Sequence, residues 1–166
     1  MNNNLEDPKI LDTTLLFAID EIVRLYPDAV FGGSIALNAV GLLNRRIGDV
    51  DVMIAASKKD SAFALYSALK NETADANLNA SDSIMEVNDE PIHHIGGKLC
   101  GVSVCLFVIP KLNYSEFRFF NRVIKIQNVN DAILTKQAYA SMRTPSSPKH
   151  AADVDSIEQA LDDLPF

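Results

Sequence analysis

The sequence predicts an α+β fold, a mixed sheet flanked by helices with C-terminal helices packed on it. Three observations carry this prediction. Segments with helical apolar spacing are mixed with segments that read as strands. All seven glycines lie between Gly32 and Gly101, which concentrates backbone freedom in the central, strand-bearing part. Two helix-like segments then close the chain. With 166 residues, 48% of them hydrophobic, there is enough for one core and not for two. Residues 1–166 are therefore read as a single domain, with a core that bears the sheet and an N-terminal helix over 10–127 and a helical segment over 128–166.

From 10 to 26, Leu11, Leu15, Ala18, Ile22 and Tyr26 recur three or four apart, an amphipathic helix stopped by Pro27. "DAVF" is a short strand running into Gly32 and Gly33, and Ser34 is placed to cap a helix through about Gly41. "DVDVMIA" alternates, with Val50, Val52 and Ile54 on one face and Asp49, Asp51 and Met53 on the other. Residues 59–70, with Phe63, Tyr66 and Leu69, read as a helix, and "NETADANLNASDS" as a polar loop.

"SIMEV" is a strand, "PIHHIGGK" a turn or short hairpin arm, and "LCGVSVCLFVIP" one long apolar strand ended by Pro110. On that strand Cys100 and Cys105 point to opposite faces and cannot pair. "FFNRVIKIQ" alternates as an edge strand. A helix near Asp131–Met142 follows "NVN" as its cap region. The last helix starts at "SSPK", with Ser147 as N-cap, Pro148 in the first position and Val154, Ile157, Leu161 and Leu164 as its apolar stripe.

The net charge of −7 and a pI of about 4.8 make the surface as a whole repel a phosphate backbone, so free nucleic acid is not the default partner. Two cysteines without zinc spacing or a disulfide framework point to a reducing compartment. The polar opening "MNNNLEDPKI" lacks an export signal, and no apolar run approaches bilayer length. The expectation is a cytoplasmic protein with no membrane partner.

The chemistry is concentrated in "FGGSIALNAVGLLNRRIGDVDVMI". Asp49 and Asp51, two apart on a strand, leave the same face and repel each other unless a cation lies between them. Magnesium suits such a pair, because it takes oxygen ligands, retains water and borrows the rest of its shell from substrate phosphates. The Gly32-Gly33-Ser34 turn opens a helix whose N–H groups make an anion site. Arg45 and Arg46 are read evenly as phosphate-orienting cations or as solvated charge balance for the acid pair.

In this order, "FGGS" followed by "DVDV" resembles the nucleotidyltransferase superfamily, the polymerase-beta-like fold that includes the minimal nucleotidyltransferases of toxin–antitoxin systems. The resemblance extends to "NVNDAILTKQAYASMRTPSSPKHAADVDSIEQAL", where Lys136, Arg143, Lys149 and Asp153 look like the lysine and Lys/Arg-x-x-x-Asp segment of the AbiE-type abortive-infection toxins. It spans roughly residues 29–161.

The resemblance implies a nucleotide-binding transferase that moves a nucleoside monophosphate from a nucleoside triphosphate to a hydroxyl on a protein, a small molecule or a tRNA end. It assigns Asp49 and Asp51 to catalysis and to one or two Mg2+ ions. Gly32, Gly33, Ser34, Arg45, Lys136 and Lys149 fall to the nucleotide, and a protein partner is allowed. The family's third carboxylate falls on Cys105, a poor magnesium ligand, with Glu86 and Glu116 as substitutes of no clear register. That departure keeps open a second reading, a catalytically degenerate, antitoxin-like binding or regulatory protein. Without the family pattern, Cys105 is a small core residue, Lys136 a solvent-facing lysine, His93 and His94 an exposed turn, and Phe119 and Phe120 core.

Overall fold

The structure, a computed structural model, describes residues 13–87, 89–141, 145 and 147–163. Ile10, Leu11, Met142, Arg143 and Leu164, used in the sequence reading, lie outside the described residues. The elements run α1 (Thr13–Leu25), β1 (Val30–Phe31), α2 (Gly33–Ala39), β2 (Asp49–Ala55), a 3₁₀ segment (Ala56–Ala62), α3 (Phe63–Asp75), β3 (Ser81–Val87), β4 (Glu90–Leu99), β5 (Val102–Ile109), β6 (Tyr114–Phe119), β7 (Arg122–Gln127), α4 (Val129–Ser141) and α5 (Ser147–Asp162). The fold is α+β. The strands form one mixed sheet in the order β3-β4-β5-β2-β1-β7-β6.

One face of the sheet carries the main core. Val50, Val52 and Ile54 of β2 meet Val104 and Leu106 of β5 there, and all five are fully buried. Removing side chains of this size from water contributes about 1.5–3 kcal/mol each. α1 seals this face with Leu15, Ala18, Ile19 and Ile22, the stripe its spacing predicts, and Tyr26 is buried just beyond its end. α3 adds Leu65, Leu69 and Thr73. Phe63, one of the apolar residues of the expected helix, is exposed, because the buried stripe runs through Leu65, Leu69 and Thr73 and leaves it on the other side. The opposite sheet face carries Val30, Met53, Ile92 and Phe107 and is roofed in part by Tyr139 of α4.

Three expectations fail at turns. The apolar run from Leu99 to Ile109 is two strands, not one. Cys100 and Gly101, both in the left-handed region at φ 52° and 75°, reverse the chain between β4 and β5. The Glu72 carboxylate accepts from both turn amides, at 2.7 and 2.9 Å, and holds the reversal. Cys100 therefore sits in a turn, and "PIHHIGGK" is the middle of a ten-residue strand.

Phe120 and Asn121, at φ 47° and 67°, likewise separate β6 from β7. β6 forms the sheet edge and β7 is interior, paired in parallel with β1. Phe119 is buried as expected, while Phe120, in the turn, is exposed. Most of "NETADANLNASDS" is not loop: α3 continues to Asp75 and β3 starts at Ser81. In α5 the buried residues are Ser147, Asp153 and Ile157, and Leu161 is exposed. No helix among the described residues is long and apolar enough to cross a membrane.

A two-residue hairpin turn with both φ positive favours Asn-Gly, and a left-handed conformation is costly for most side chains. Cys100→Asn is therefore expected to raise stability by about 0.5–1 kcal/mol, measured as a higher urea midpoint with unchanged slope.

Candidate functional site

The site begins where β1 hands over to α2. β1 pairs antiparallel with β2, Phe31 opposite Val52, and the Gly32 N–H donates to the Asp51 carbonyl at 2.9 Å. The next residue, Gly33, has φ 53°, and a Cβ there would collide with the Asp51 carboxylate. Glycine is needed at this position for both reasons. A Cβ on Gly32 would run into the Met53 methyl and lie 2.7 Å from Gln127 Oε1. The glycine corner and the second acid are thus in direct contact.

α2 that follows has only seven residues and no side-chain cap. Ser34 does not cap it. Its buried hydroxyl instead accepts from Arg45 Nη2 at 3.0 Å and Lys136 Nζ at 3.2 Å. The loop after α2 is anchored by buried Leu43 and Ile47, and Asn38 Nδ2 donates to the Leu43 carbonyl at 3.0 Å. This anchoring swings Arg45 back over Ser34.

Both cations converge on Asp153 of α5. Arg45 binds its carboxylate with two donors, Nε at 2.7 Å and Nη2 at 2.8 Å, and Lys136 Nζ lies 2.7 Å from Oδ2. Lys136 is 4% exposed and Asp153 3%, so the ammonium predicted to face solvent is a buried partner in an ion cluster. His150, one turn before Asp153, approaches Lys136 Nζ through Nδ1 at 3.4 Å. Burial alone would raise the Asp153 carboxyl, but the hydrogen bonds and charges of Arg45 and Lys136 outweigh it and bring it to about 2. Two cations against one carboxylate leave this end of the site positive. Lys149 is exposed on the same helix, and its charge reaches Asp51.

Asp49 and Asp51 leave β2 on the face away from the main core. Part of Asp51 reaches solvent, yet the fold closes densely round it. Burial first, and the neighbouring Asp49 charge second, push its carboxyl up to about 7 against the pull of Lys136 and Lys149. β2 and β5 run parallel with Asp51 opposite Cys105. Burial and then the two acids raise the Cys105 thiol to about 12, so it stays neutral and supplies neither a hard ligand nor a base. Tyr139 of α4 is also pushed up, by burial, Asp51 and Cys105, and its ring lies 5.0 Å from that of His150.

The other candidates lie elsewhere. Glu86 is on β3, at one sheet edge, and Glu116 on β6, at the other, opposite Lys125. His93 and His94 are mid-strand in β4 and not in a turn; His93 Nε2 is 2.6 Å from Asp82, and the His94 ring lies tilted against that of Phe107, 5.0 Å between centroids. The sequence assigns no role to His150, Tyr139 or Gln127, and to Asp153 only its place in the Lys/Arg-x-x-x-Asp segment. The i, i+3 pairs Lys136/Tyr139 and His150/Asp153 were the available signal, since such pairs share a helix face.

No group of three or more His, Cys, Asp or Glu side chains among the described residues is placed to hold a metal. The donor set is two carboxylates on one face of β2, and the charge of Asp49 acts on Asp51. It fits magnesium, which needs few protein oxygens when a substrate completes its shell, and it does not fit a closed all-protein cage.

Replacing Asp153 with Asn leaves Lys136 buried without its counter-charge, which is expected to cost about 3–5 kcal/mol at pH 7. Because the folded Asp153 carboxyl lies below its unfolded value, the wild-type advantage is fully present above about pH 4 and disappears as pH falls through about 2. Urea unfolding of both proteins across that range tests this.

No protein-family profile matches the chain, and no curated protein matches it. Among solved structures it is similar to a Thermotoga maritima protein described as a candidate nucleotidyltransferase, with 11% identity, 93% of this chain and 97% of the other covered, and a TM-score of 0.54. It is also similar to an antigenic nucleotidyltransferase-like protein of Paracoccidioides brasiliensis, with 13% identity, coverage of 94% and 77%, and a TM-score of 0.41, too low to carry an argument. The fold assignment rests on the first of these together with the mixed sheet and its order of elements. Over nearly its whole length, the chain has the nucleotidyltransferase fold.

Proposed function

We propose that this protein transfers a nucleoside monophosphate from a nucleoside triphosphate to a hydroxyl acceptor and uses magnesium to do so. The carrying observation is the juxtaposition at one corner of opposite charges with separate tasks. Asp49 and Asp51 face out of the sheet beside the glycine turn, and Arg45 and Lys136 converge on Ser34 at its far side. Acids suit a metal and cations suit phosphate oxygens, and a polyphosphate with its metal needs both within a few ångströms.

In the reaction, the acceptor oxygen bonds to the α-phosphorus as the bond from that phosphorus to the α–β bridging oxygen breaks. Pyrophosphate leaves with the electron pair and the hydroxyl proton passes to water. Bound magnesium would be held by Asp49 and Asp51 and would offset charge on the phosphate oxygens. Gly33, lacking a side chain, lets a phosphate approach the backbone beside Asp51. Lys136 and Arg45, fixed by Asp153, present a residual positive charge that does not have to reorganise when the β- and γ-phosphates arrive. Lys149, exposed and mobile on its stem, adds charge from the solvent side.

A second reading is favoured by one observation, Cys105 in register beside Asp51 where a third acid would stand. A protein that binds nucleotide without turning it over would keep the acid pair and lose that acid. Incubation with labelled triphosphate and pools of RNA, protein and small-molecule acceptors separates the two. Robust incorporation excludes the binding-only protein.

Calorimetry with Mg·ATP is expected to give binding by the wild type and at least about tenfold weaker binding by Asp49→Asn with Asp51→Asn; equal binding would end the proposal. Cys105→Asp places a third carboxylate against two others. It is expected to lower the melting temperature by several degrees without magnesium, to recover with millimolar magnesium, and to speed label transfer. A melting temperature indifferent to magnesium would argue against a metal at this corner.

A further inference from the structure

On the face that carries the acid pair, beyond Met53, the sheet and α4 border an open cavity of about 380 Å³. Met53, Ile92, Phe107, Leu134 and Tyr139 give it apolar and aromatic walls, and Gln127 closes the end toward Gly32. Gln127 is 5% exposed and its Oε1 has no hydrogen-bond partner. Leaving such a carbonyl unpaired costs about 1–3 kcal/mol, but the oxygen is sealed from solvent against Gly32, so the surface the cavity offers a ligand is mainly apolar and aromatic.

Position along β2 separates this cavity from the cation cluster. Asp49, Asp51 and Met53 follow one another on one face; Arg45 feels the charge of Asp49, and the cavity begins at Met53. Asp51 lies between. Attacking and leaving oxygens must stand on opposite sides of the phosphorus, so if the leaving phosphates go toward Ser34, Arg45 and Lys136, the acceptor enters from the Met53 side. The rim charges are Glu90, Asp131 and Lys111, an acid excess that disfavours a polyanion. The volume lies at the small-ligand end of the usual range and cannot take a nucleic-acid strand.

We propose that this cavity is the acceptor site, and that the acceptor is a small, flat, ring-bearing alcohol, neutral or cationic. The catalytic half of this proposal rests on the transfer reaction above; the binding half does not. Tyramine is a suitable probe, with 4-ethylphenol, 4-hydroxyphenylacetate and adenosine as its neutral, anionic and nucleoside comparators.

With the ¹⁵N-labelled full chain and no nucleotide, tyramine is expected to shift the amides of Met53, Phe107, Gln127 and Tyr139. 4-Ethylphenol is expected to bind less tightly, and 4-hydroxyphenylacetate at least about tenfold more weakly than tyramine. Leu134→Trp, at a half-exposed position that tolerates bulk, should fill the cavity and weaken tyramine by at least about tenfold.

No shift at these amides, undiminished binding to Leu134→Trp, or preference for the anion would overturn the proposal. So would tighter binding of adenosine at the same residues, which would make this the site of the nucleoside base. Cavity binding that survives while Mg·ATP fails to bind would sink the transfer reaction and keep the pocket with its ligand class. Mg·ATP binding without any cavity binding would sink the cavity proposal alone.

Discussion

The site depends on a single buried carboxylate. Asp153, on the last helix, holds Arg45 from the loop before β2 and Lys136 from α4, and both of those cations hold the Ser34 hydroxyl. Four segments distant in sequence are thereby fixed to one another beside the glycine turn. A buried ion cluster contributes little net stability compared with a well-packed apolar one, but loss of one member strands the others. What this cluster supplies is position. Two long, flexible side chains that would otherwise sample solvent are held in one place before any substrate arrives.

Around that clamp the charges are sorted by strand position. The acids occupy alternate places on β2, the cations lie past Ser34, and the apolar-walled cavity starts two residues further along the same face. The sorting explains why the Asp51 carboxyl is pushed up: it is crowded, it faces a like charge, and Lys136, one of the two cations that pull on it, is already committed to Asp153. A divalent ion brought in with phosphate would relieve that arrangement, which Lys136 and Lys149 offset only in part.

The neighbouring strand sets a further constraint. Parallel pairing of β2 with β5 puts Cys105 beside Asp51, and the same crowding that raises the acid keeps the thiol neutral. Tyr139 closes over both. The local environment is therefore poor in bases on the cavity side, and transfer here would rely on orientation and charge more than on proton abstraction.

Much of this was legible in the sequence. Alternation over "DVDVMIA" fixed the faces of β2, helical spacing found α1, and the order of glycine turn, acid pair and late lysine pointed to the fold, because periodicity and motif order are local properties of the chain. The turns at Cys100-Gly101 and Phe120-Asn121 were hidden, since Cys and Phe carry no turn signature and only the sheet's closure drives them to positive φ. Lys136 read as a surface lysine by its helix alone. Its burial against Asp153, the pairing of Asp51 with Cys105 and the unpaired Gln127 carbonyl were decided by tertiary structure, because each depends on which distant segment arrives opposite, and no local pattern encodes that.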